Sequence, residues 1–189
     1  MKSISLSTIS LVTWDVDGTL YSLRRMKYYL LGQFLREIIG GKRRLAHREL
    51  SELRYYRQKI DRARAEGGAL DGNLRSEVDF ASLEALRQRW YVEAVRKAGP
   101  RPGVDGVLIG LRKKGIPQVV FSDYEAESKL KSLGLADRFE ALYIGERLGF
   151  VKPHAALLKR IAADFSVPIE SVVHVGDRVD RDEAAGHPR

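Results

Sequence analysis

The pattern of apolar and polar residues places a long helical stretch directly after a first strand. The β-prone run Ile9–Trp14 ends abruptly at Asp15 and predicts a buried strand. Apolar residues at three- and four-residue spacing then predict three helices, which end at Gly40-Gly41, near Gly67-Gly68 and at Gly99-Pro100. No β-like run interrupts these roughly 80 residues. The pattern therefore predicts a helical insertion.

Beyond Pro102 the pattern alternates between helices and strands. Helices are predicted over residues 104–114, 125–133 and 154–165, and strands over residues 118–122, 141–144 and 171–175. Strands that alternate with helices of about ten residues indicate an α/β fold with a doubly wound parallel sheet. We expect a Rossmann-like core formed by residues 1–21 and 100–189, with residues 22–99 inserted as an all-helical domain.

Composition narrows the class of protein. With 44% hydrophobic and 31% charged residues, the 189-residue chain is typical of globular proteins, and the absence of cysteine excludes disulfides and thiol chemistry. The sequence lacks an apolar run of the roughly 18 residues that span a bilayer, and it lacks the pattern of a signal peptide. We expect a cytoplasmic protein without a membrane partner.

The net charge of +8 is confined to one part of the chain. Residues 22–100 contain 18 Lys and Arg against 10 Asp and Glu, whereas the remainder contains 15 of each kind. A basic segment of this kind favours anionic ligands, although most charge runs are simply solvated helix faces.

Polar side chains follow each predicted strand. Asp15 and Asp17 follow the first strand, Ser122 ends the second, Lys152 follows the third, and Asp177 follows the fourth. Functional groups of open α/β sheets lie beyond the carboxyl ends of the strands, so we expect these side chains to meet at one edge.

Crowded carboxylates need a cation. Oxygen ligands without cysteine or paired histidines favour Mg²⁺ over zinc or copper, and Mg²⁺ commonly bridges carboxylates to phosphate oxygens. The sequence therefore predicts a Mg²⁺-dependent site for a small phosphorylated substrate, whose phosphoryl group passes to a carboxylate and then to water.

Four motifs together resemble the haloacid dehalogenase-like hydrolase superfamily, in its phosphatase branch. They are Asp-x-Asp-Gly-Thr at residues 15–19, Ser122, Lys152-Pro153, and Gly176-Asp177 followed by Asp182, and they fall within residues 9–186. The insertion lies between the first two motifs, where it resembles the type 1 helical cap that closes over the site and selects the substrate. A closing cap would exclude water.

The resemblance implies a role for each residue. Asp15 is expected to be the nucleophile that forms an aspartyl-phosphate. Asp17 is expected to be the general acid and base, with its pKa raised by the neighbouring carboxylates. Expected phosphate ligands are Gly18, Ser122 and Lys152. Expected metal ligands are Asp15, Asp17 through its carbonyl, and Asp177. Thr19 and Asp182 are expected to support the site, Asp182 through water or by holding Lys152.

Simpler interpretations compete for several residues. Asp15 and Asp17 also suit a strand–helix turn, and Ser122 also suits a helix cap. Lys152 also suits a surface position. His174 lies in an apolar strand, which favours a core residue over a metal ligand.

Three alternatives to a phosphatase stay open. A haloacid dehalogenase shares the fold and the nucleophile, but it resembles the family without the second acid that Asp17 supplies. A phosphomutase differs only in the acceptor of the phosphoryl group. A non-catalytic protein could bind polyanions with its basic helices, but the sequence lacks a recognised nucleic-acid motif, so nucleic acid is not expected as a partner.

Family members usually continue into a further core strand, whereas this sequence ends at Arg189. We therefore expect four strands, with an uncovered edge beside the fourth. Either the chain is truncated, or a partner covers this edge; pairing with a second copy would make a homo-oligomer.

Overall fold

A parallel sheet of four strands runs through the computed structural model, which describes residues 6–70 and 79–178. The strands lie in the order β3-β2-β1-β4, so β1 is central and β4 is at one edge of the described sheet. They pair in parallel throughout. Their bounds are β1 (Leu11–Trp14), β2 (Gln118–Ser122), β3 (Ala141–Ile144) and β4 (Val172–Val175).

Helices surround this sheet. Their bounds are α1 (Leu23–Ile39), α2 (Arg43–Ala65), α3 (Phe80–Arg87), α4 (Glu93–Ala98), α5 (Val104–Lys113), α6 (Glu127–Leu133), α7 (Gly145–Leu148) and α8 (Ala155–Asp164). The prediction of a doubly wound α/β fold is confirmed. The third helix of the insertion, predicted as one regular helix, is instead divided by a π-helical turn at Gln88–Val92. The short α7 was not predicted, because four residues carry too little periodicity.

Alternate strand residues face opposite sides of the sheet, and each side has an apolar cluster. Val12 and Val120 face a cluster to which α5 and α6 contribute. Leu11 and Phe121 face the other cluster, where Leu158 of α8 packs. All residues of β1 and β2 are buried, as expected for central strands covered on both faces.

Between β1 and α5, residues of α2, α3 and the π-helical turn form a further apolar cluster, whereas the buried residues of α4 belong to the cluster beside the sheet. We call α1 to α4, together with the π-helical turn, the cap helices. Trp90 is fully buried among them, and its indole nitrogen donates to Glu49 Oε2 at 2.8 Å. The division into a core and a cap stays a prediction. Of the described helices, none is both long and apolar enough to cross a membrane.

A buried ionic cluster joins the cap helices to α7. The two terminal guanidinium nitrogens of Arg87 donate to Glu146 at 2.7 Å, and the Tyr56 hydroxyl donates to the same carboxylate at 2.5 Å. The amide of Glu125 also donates to it, at 2.6 Å. Glu146 is 4% exposed and Arg87 is 7% exposed, so neither can recover these bonds from water.

Replacing Glu146 by Gln should lower the free energy of unfolding by about 3 kcal/mol, because the buried Arg87 loses the carboxylate that both of its terminal nitrogens bind and keeps only the more distant Glu84, at 3.8 Å. Urea unfolding followed by circular dichroism measures the change. Glu52→Gln is the matched control, since Glu52 forms an exposed pair with Arg48 at 3.8 Å and should change stability by less than about 0.5 kcal/mol. Equal small changes in both variants would contradict the expectation.

Candidate active site

One cleft at the carboxyl end of the sheet collects the polar residues that follow the four strands. It has a volume of about 200 Å³. Its lining includes Asp15, Asp17, Ser122, Lys152 and Asp177. The expectation that the strand ends bring these side chains together is confirmed.

Asp15 and Lys152 form a buried ion pair at the centre of this cleft. The Lys152 ammonium lies 2.6 Å from Asp15 Oδ1, and the two residues are 2% and 8% exposed. The Thr19 hydroxyl donates to Asp15 Oδ2 at 3.2 Å. Lys152 is thus not a surface lysine, and its charge stabilises the ionised form of Asp15.

Gly18 allows the first and fourth strand ends to approach each other. Its φ is +102°, a conformation that L side chains rarely adopt, and an added Cβ would lie 2.1 Å from Asp177 Oδ2. Arg101 donates two hydrogen bonds, of 2.9 and 2.7 Å, to the Gly18 carbonyl. Because Gly18 has no side chain, the Asp177 carboxylate can lie next to the turn that follows β1.

Asp17 is held by a lysine that was not among the predicted site residues. The Lys129 ammonium lies 2.7 and 2.8 Å from its two carboxylate oxygens, and the Tyr21 hydroxyl donates to Oδ1. Burial raises the pKa of Asp17, but Lys129 and Tyr21 outweigh it, so the pKa lies below its ordinary value. The raised pKa expected for Asp17 is therefore wrong for this arrangement, because a cation faces the carboxylate.

Tyr21 stays a neutral hydrogen-bond donor in this arrangement. Burial raises the pKa of its hydroxyl well above the ordinary value, and the Asp17 carboxylate adds to the effect. The Asp17 carboxylate is thus bound by one cation, Lys129, and by one neutral hydrogen-bond donor, Tyr21.

Ser122 and Asp123 connect the cleft to the loop after β3. The Ser122 hydroxyl donates to the Tyr124 carbonyl at 2.9 Å, while Asp123 Oδ1 accepts from the Lys152 amide at 2.7 Å. Arg64, from cap helix α2, donates to Asp123 Oδ2 at 2.9 Å. Asp123 therefore positions the backbone of Lys152, a function that the sequence pattern did not indicate.

The donor set suits Mg²⁺ better than a softer metal. Asp15 and Asp177 supply carboxylates, and the Asp17 carbonyl belongs to the same turn. Mg²⁺ often takes only one or two carboxylates and keeps its waters for the remaining positions. Over residues 6–70 and 79–178 there is no cluster of three His, Asp or Glu side chains arranged around a metal position, so a complete protein cage is absent from that part. Asp182 lies outside the described residues.

Lys129 carried a signal in the sequence. Leu130 and Leu133 form the apolar face of α6, and Lys129 is buried on the same face at helical spacing. A lysine at an apolar position indicates a buried partner. His174 is confirmed as a structural residue, because its Nδ1 lies 2.7 Å from the Thr13 hydroxyl inside the sheet.

A family model described as haloacid dehalogenase-like hydrolase matches residues 9–188. Glyceraldehyde 3-phosphate phosphatase of Pyrococcus furiosus is 32% identical to this chain over 84 residues, which are 43% of this chain and 35% of that protein. The match thus spans about a third of that relative's length.

Two solved structures have a similar fold. The HAD-hydrolase YfnB from Bacillus subtilis, bound to magnesium, has a TM-score of 0.67 and 18% identity, covering 94% of this chain and 84% of its own. A 2-haloacid dehalogenase from Pseudomonas syringae pv. Tomato DC3000 has a TM-score of 0.63 and 23% identity, with coverages of 94% and 82%. At these identities the likeness concerns the fold alone.

The pairing of Asp17 with Lys129 can be measured by a double-mutant cycle in urea unfolding. Lys129→Met should destabilise the protein more than Asp17→Asn/Lys129→Met does, because only the single variant leaves a buried carboxylate without its cation. We expect a coupling free energy of about 1–3 kcal/mol. Lys131→Met, which removes an exposed lysine from the same helix, is the control and should show less than about 0.5 kcal/mol. Additive effects of the two substitutions would contradict the pairing.

Proposed function

Because the chain belongs to the haloacid dehalogenase-like hydrolase family, we propose that it is a Mg²⁺-dependent phosphomonoester hydrolase that acts on a small phosphorylated metabolite. The observation that carries the proposal is the position of Asp17. It lines the same cleft as Asp15, two residues further along the turn, where an acid can reach the oxygen that leaves. The phosphatase among the relatives supports this choice.

Asp15 is the proposed nucleophile. One of its carboxylate oxygens attacks phosphorus, and the ester oxygen departs as the aspartyl-phosphate forms. Water then attacks the same phosphorus and returns Asp15 to its free state. The carboxylate needs no activating base, since it is already ionised next to Lys152.

Asp17 is the proposed acid for the leaving oxygen and, in the second step, the base for water. A phosphate dianion beside Asp17 adds like charge, which favours the protonated carboxyl. Lys129 and Tyr21 fix the side chain in one orientation while this exchange occurs.

Lys152, Ser122 and the backbone at Gly18 are the proposed ligands of the transferred phosphoryl oxygens. Asp15, Asp177 and the Asp17 carbonyl would hold Mg²⁺, which when bound offsets the repulsion between the phosphate and the carboxylates. Thr19 orients Asp15 through their hydrogen bond.

Three further expectations go with this function. The cap helices close over the cleft as a type 1 cap, since Leu23, Lys27 and Arg57 line it from that side. The expected cytoplasmic location and pairing through the sheet edge stay predictions.

A dehalogenase is the second candidate, because a structure with that activity shares the fold. Asp17 argues against it, since a halide leaves without a proton. A phosphomutase and a polyanion-binding protein stay as alternatives without a specific observation in their favour.

Asp15→Asn should lower Mg²⁺-dependent hydrolysis of 4-nitrophenyl phosphate by at least about 10³-fold, because it removes the nucleophile. Removal of Mg²⁺ with EDTA should have a comparable effect on the native protein, and added Mg²⁺ should restore activity. Release of nitrophenolate measures both.

Asp137→Asn is the matched control, since Asp137 is exposed and pairs only with its neighbour Arg138 in the described structure. It should retain full activity. Hydrolysis that survives in Asp15→Asn would exclude the proposed nucleophile. Chloride release from 2-chloropropionate by the native protein, without hydrolysis of phosphate esters, would establish the dehalogenase instead.

A further inference from the structure

Helix α1 carries a row of large apolar side chains on its solvent side. We call this row the α1 stripe; its members are between 49% and 86% exposed, and they are Tyr28, Leu31, Leu35 and Ile39. At 3.6 residues per turn, these positions fall within an arc of about 80° around the helix axis. Apolar side chains exposed singly are ordinary, whereas a row of them along one helix is typical of a surface that binds something.

The opposite side of α1 already anchors the helix. Met26 belongs to the cluster beside the sheet, and Phe34 packs against the cluster formed by α2, α3 and the π-helical turn. The Gln33 side chain also donates to the Arg89 carbonyl at 2.7 Å. The α1 stripe is therefore additional to the face that the cap helices bury, and only a partner outside the described residues could cover it.

Cations surround the α1 stripe. Four of them lie on α1, and all four are exposed, namely Arg24, Arg25, Lys27 and Arg36. In the part of the chain that the structure describes, none of the four forms an ion pair. The single carboxylate of α1, on Glu37, pairs instead with a cation of the π-helical turn at 3.1 Å. The solvent side of α1 is thus both apolar and strongly positive.

These charges argue against a second copy of the chain as the partner. Arg24 and Arg25 lie near one end of the α1 stripe, while Arg36 and the exposed Lys42 lie near the other. Two copies packed stripe to stripe would therefore bring cations together in either direction, which is costly. The surface is also small, since a stable protein interface has about 20–30 residues on each side.

An anionic lipid surface suits both properties of the helix. Acidic head groups attract Lys and Arg next to the membrane, and the boundary of the acyl chains accepts apolar side chains. Tyrosine, which begins the α1 stripe at Tyr28, is enriched at this depth of a bilayer. Nucleic acid would satisfy the cations but would leave the apolar side chains in water.

We propose that α1 docks on the surface of a membrane that contains anionic phospholipids. The helix lies in the plane of the membrane, with the α1 stripe at the acyl boundary and the four cations among the head groups. The sequence predicted no membrane partner because it lacks a spanning run, but a helix of 17 residues that lies in the surface does not need one. The inference goes beyond the proposed hydrolysis and does not depend on it.

The test is sedimentation of the native protein with sucrose-loaded vesicles of phosphatidylcholine that contain about 30% phosphatidylserine. The protein should partition onto these vesicles at least about 10-fold more strongly than onto pure phosphatidylcholine. Sodium chloride at about 0.5 M should weaken the binding, because salt screens the attraction to head groups.

Leu35→Gln should lower the partition coefficient about 5- to 10-fold, since it removes one apolar side chain from the acyl boundary. Val107→Gln is the matched control, because Val107 of α5 is 51% exposed against 49% for Leu35 and lies outside the α1 stripe. It should change the partition coefficient by less than about twofold. Circular dichroism spectra equal to that of the native protein show that both variants are folded.

The cations are tested separately from the apolar side chains. Arg24→Gln/Arg25→Gln should lower the partition coefficient about 10-fold or more, because two basic residues leave the membrane surface. Lys113→Gln/Lys114→Gln is the matched control, since it removes two exposed cations at the end of α5 and changes the net charge equally. It should lower the coefficient by about twofold or less.

Insertion of the α1 stripe has a spectroscopic signature. In Leu31→Trp, the added indole should be quenched by brominated phosphatidylcholine mixed into the anionic vesicles, because the side chain reaches the acyl boundary. The two native tryptophans, Trp14 and Trp90, are buried and supply a constant background that the native protein measures.

Several results would overturn the inference. Equal effects of Leu35→Gln and Val107→Gln, or no quenching in Leu31→Trp, would reduce the binding to adsorption by charge. Failure of the native protein to sediment with anionic vesicles would exclude the membrane. In that case, a dimer in analytical ultracentrifugation that is lost in Leu35→Gln would assign the α1 stripe to a second copy, and binding to polyglutamate would assign it to an acidic protein.

Discussion

The arrangement of the site depends on neutralising carboxylates that the sheet crowds together at one edge. Parallel strands end side by side, so the acidic residues that follow them repel one another. In the described structure three of them are matched with a cation from a different element: Asp15 with Lys152, Asp17 with Lys129, and Asp123 with Arg64. These ion pairs join the loop after β3, α6 and α2 to the same cleft. Electrostatic balance therefore links the core and the cap helices around one place.

The sequence alone predicted the features that follow from a repeating apolar pattern or from the order of the strands along the chain. β2 and β3 were predicted with the bounds that the structure has, because their apolar runs are short and closed by turn residues. The cleft followed from topology, since functional groups of parallel sheets meet beyond the strand ends. Asp15 and Lys152, far apart in sequence, could be placed together for this reason alone.

The remaining features depend on packing between elements, which periodicity does not describe. The pairing of Lys129 with Asp17 and the pairing of Arg87 with Glu146 each join residues from separate elements. Neither partner of such a pair predicts the other from its local sequence. The π-helical turn at Gln88–Val92 has a helical pattern in the sequence and is distinguished only by its hydrogen bonds. Lys129 is the exception, because the sequence shows it as a charged residue on an otherwise apolar helix face.

The buried cluster at Glu146 has a consequence for how molecules exchange with the site. Swinging the cap helices away from α7 would separate Arg87 and Tyr56 from a carboxylate that is almost without solvent. A complete opening of the interface is therefore slow compared with small adjustments beside the cleft. Substrate and product would then enter and leave the cleft on its polar side near Lys27, which is exposed and lines the cleft. The contact with α7 is thus the fixed side of the cap helices, and their closure over the cleft is confined to small adjustments near Lys27.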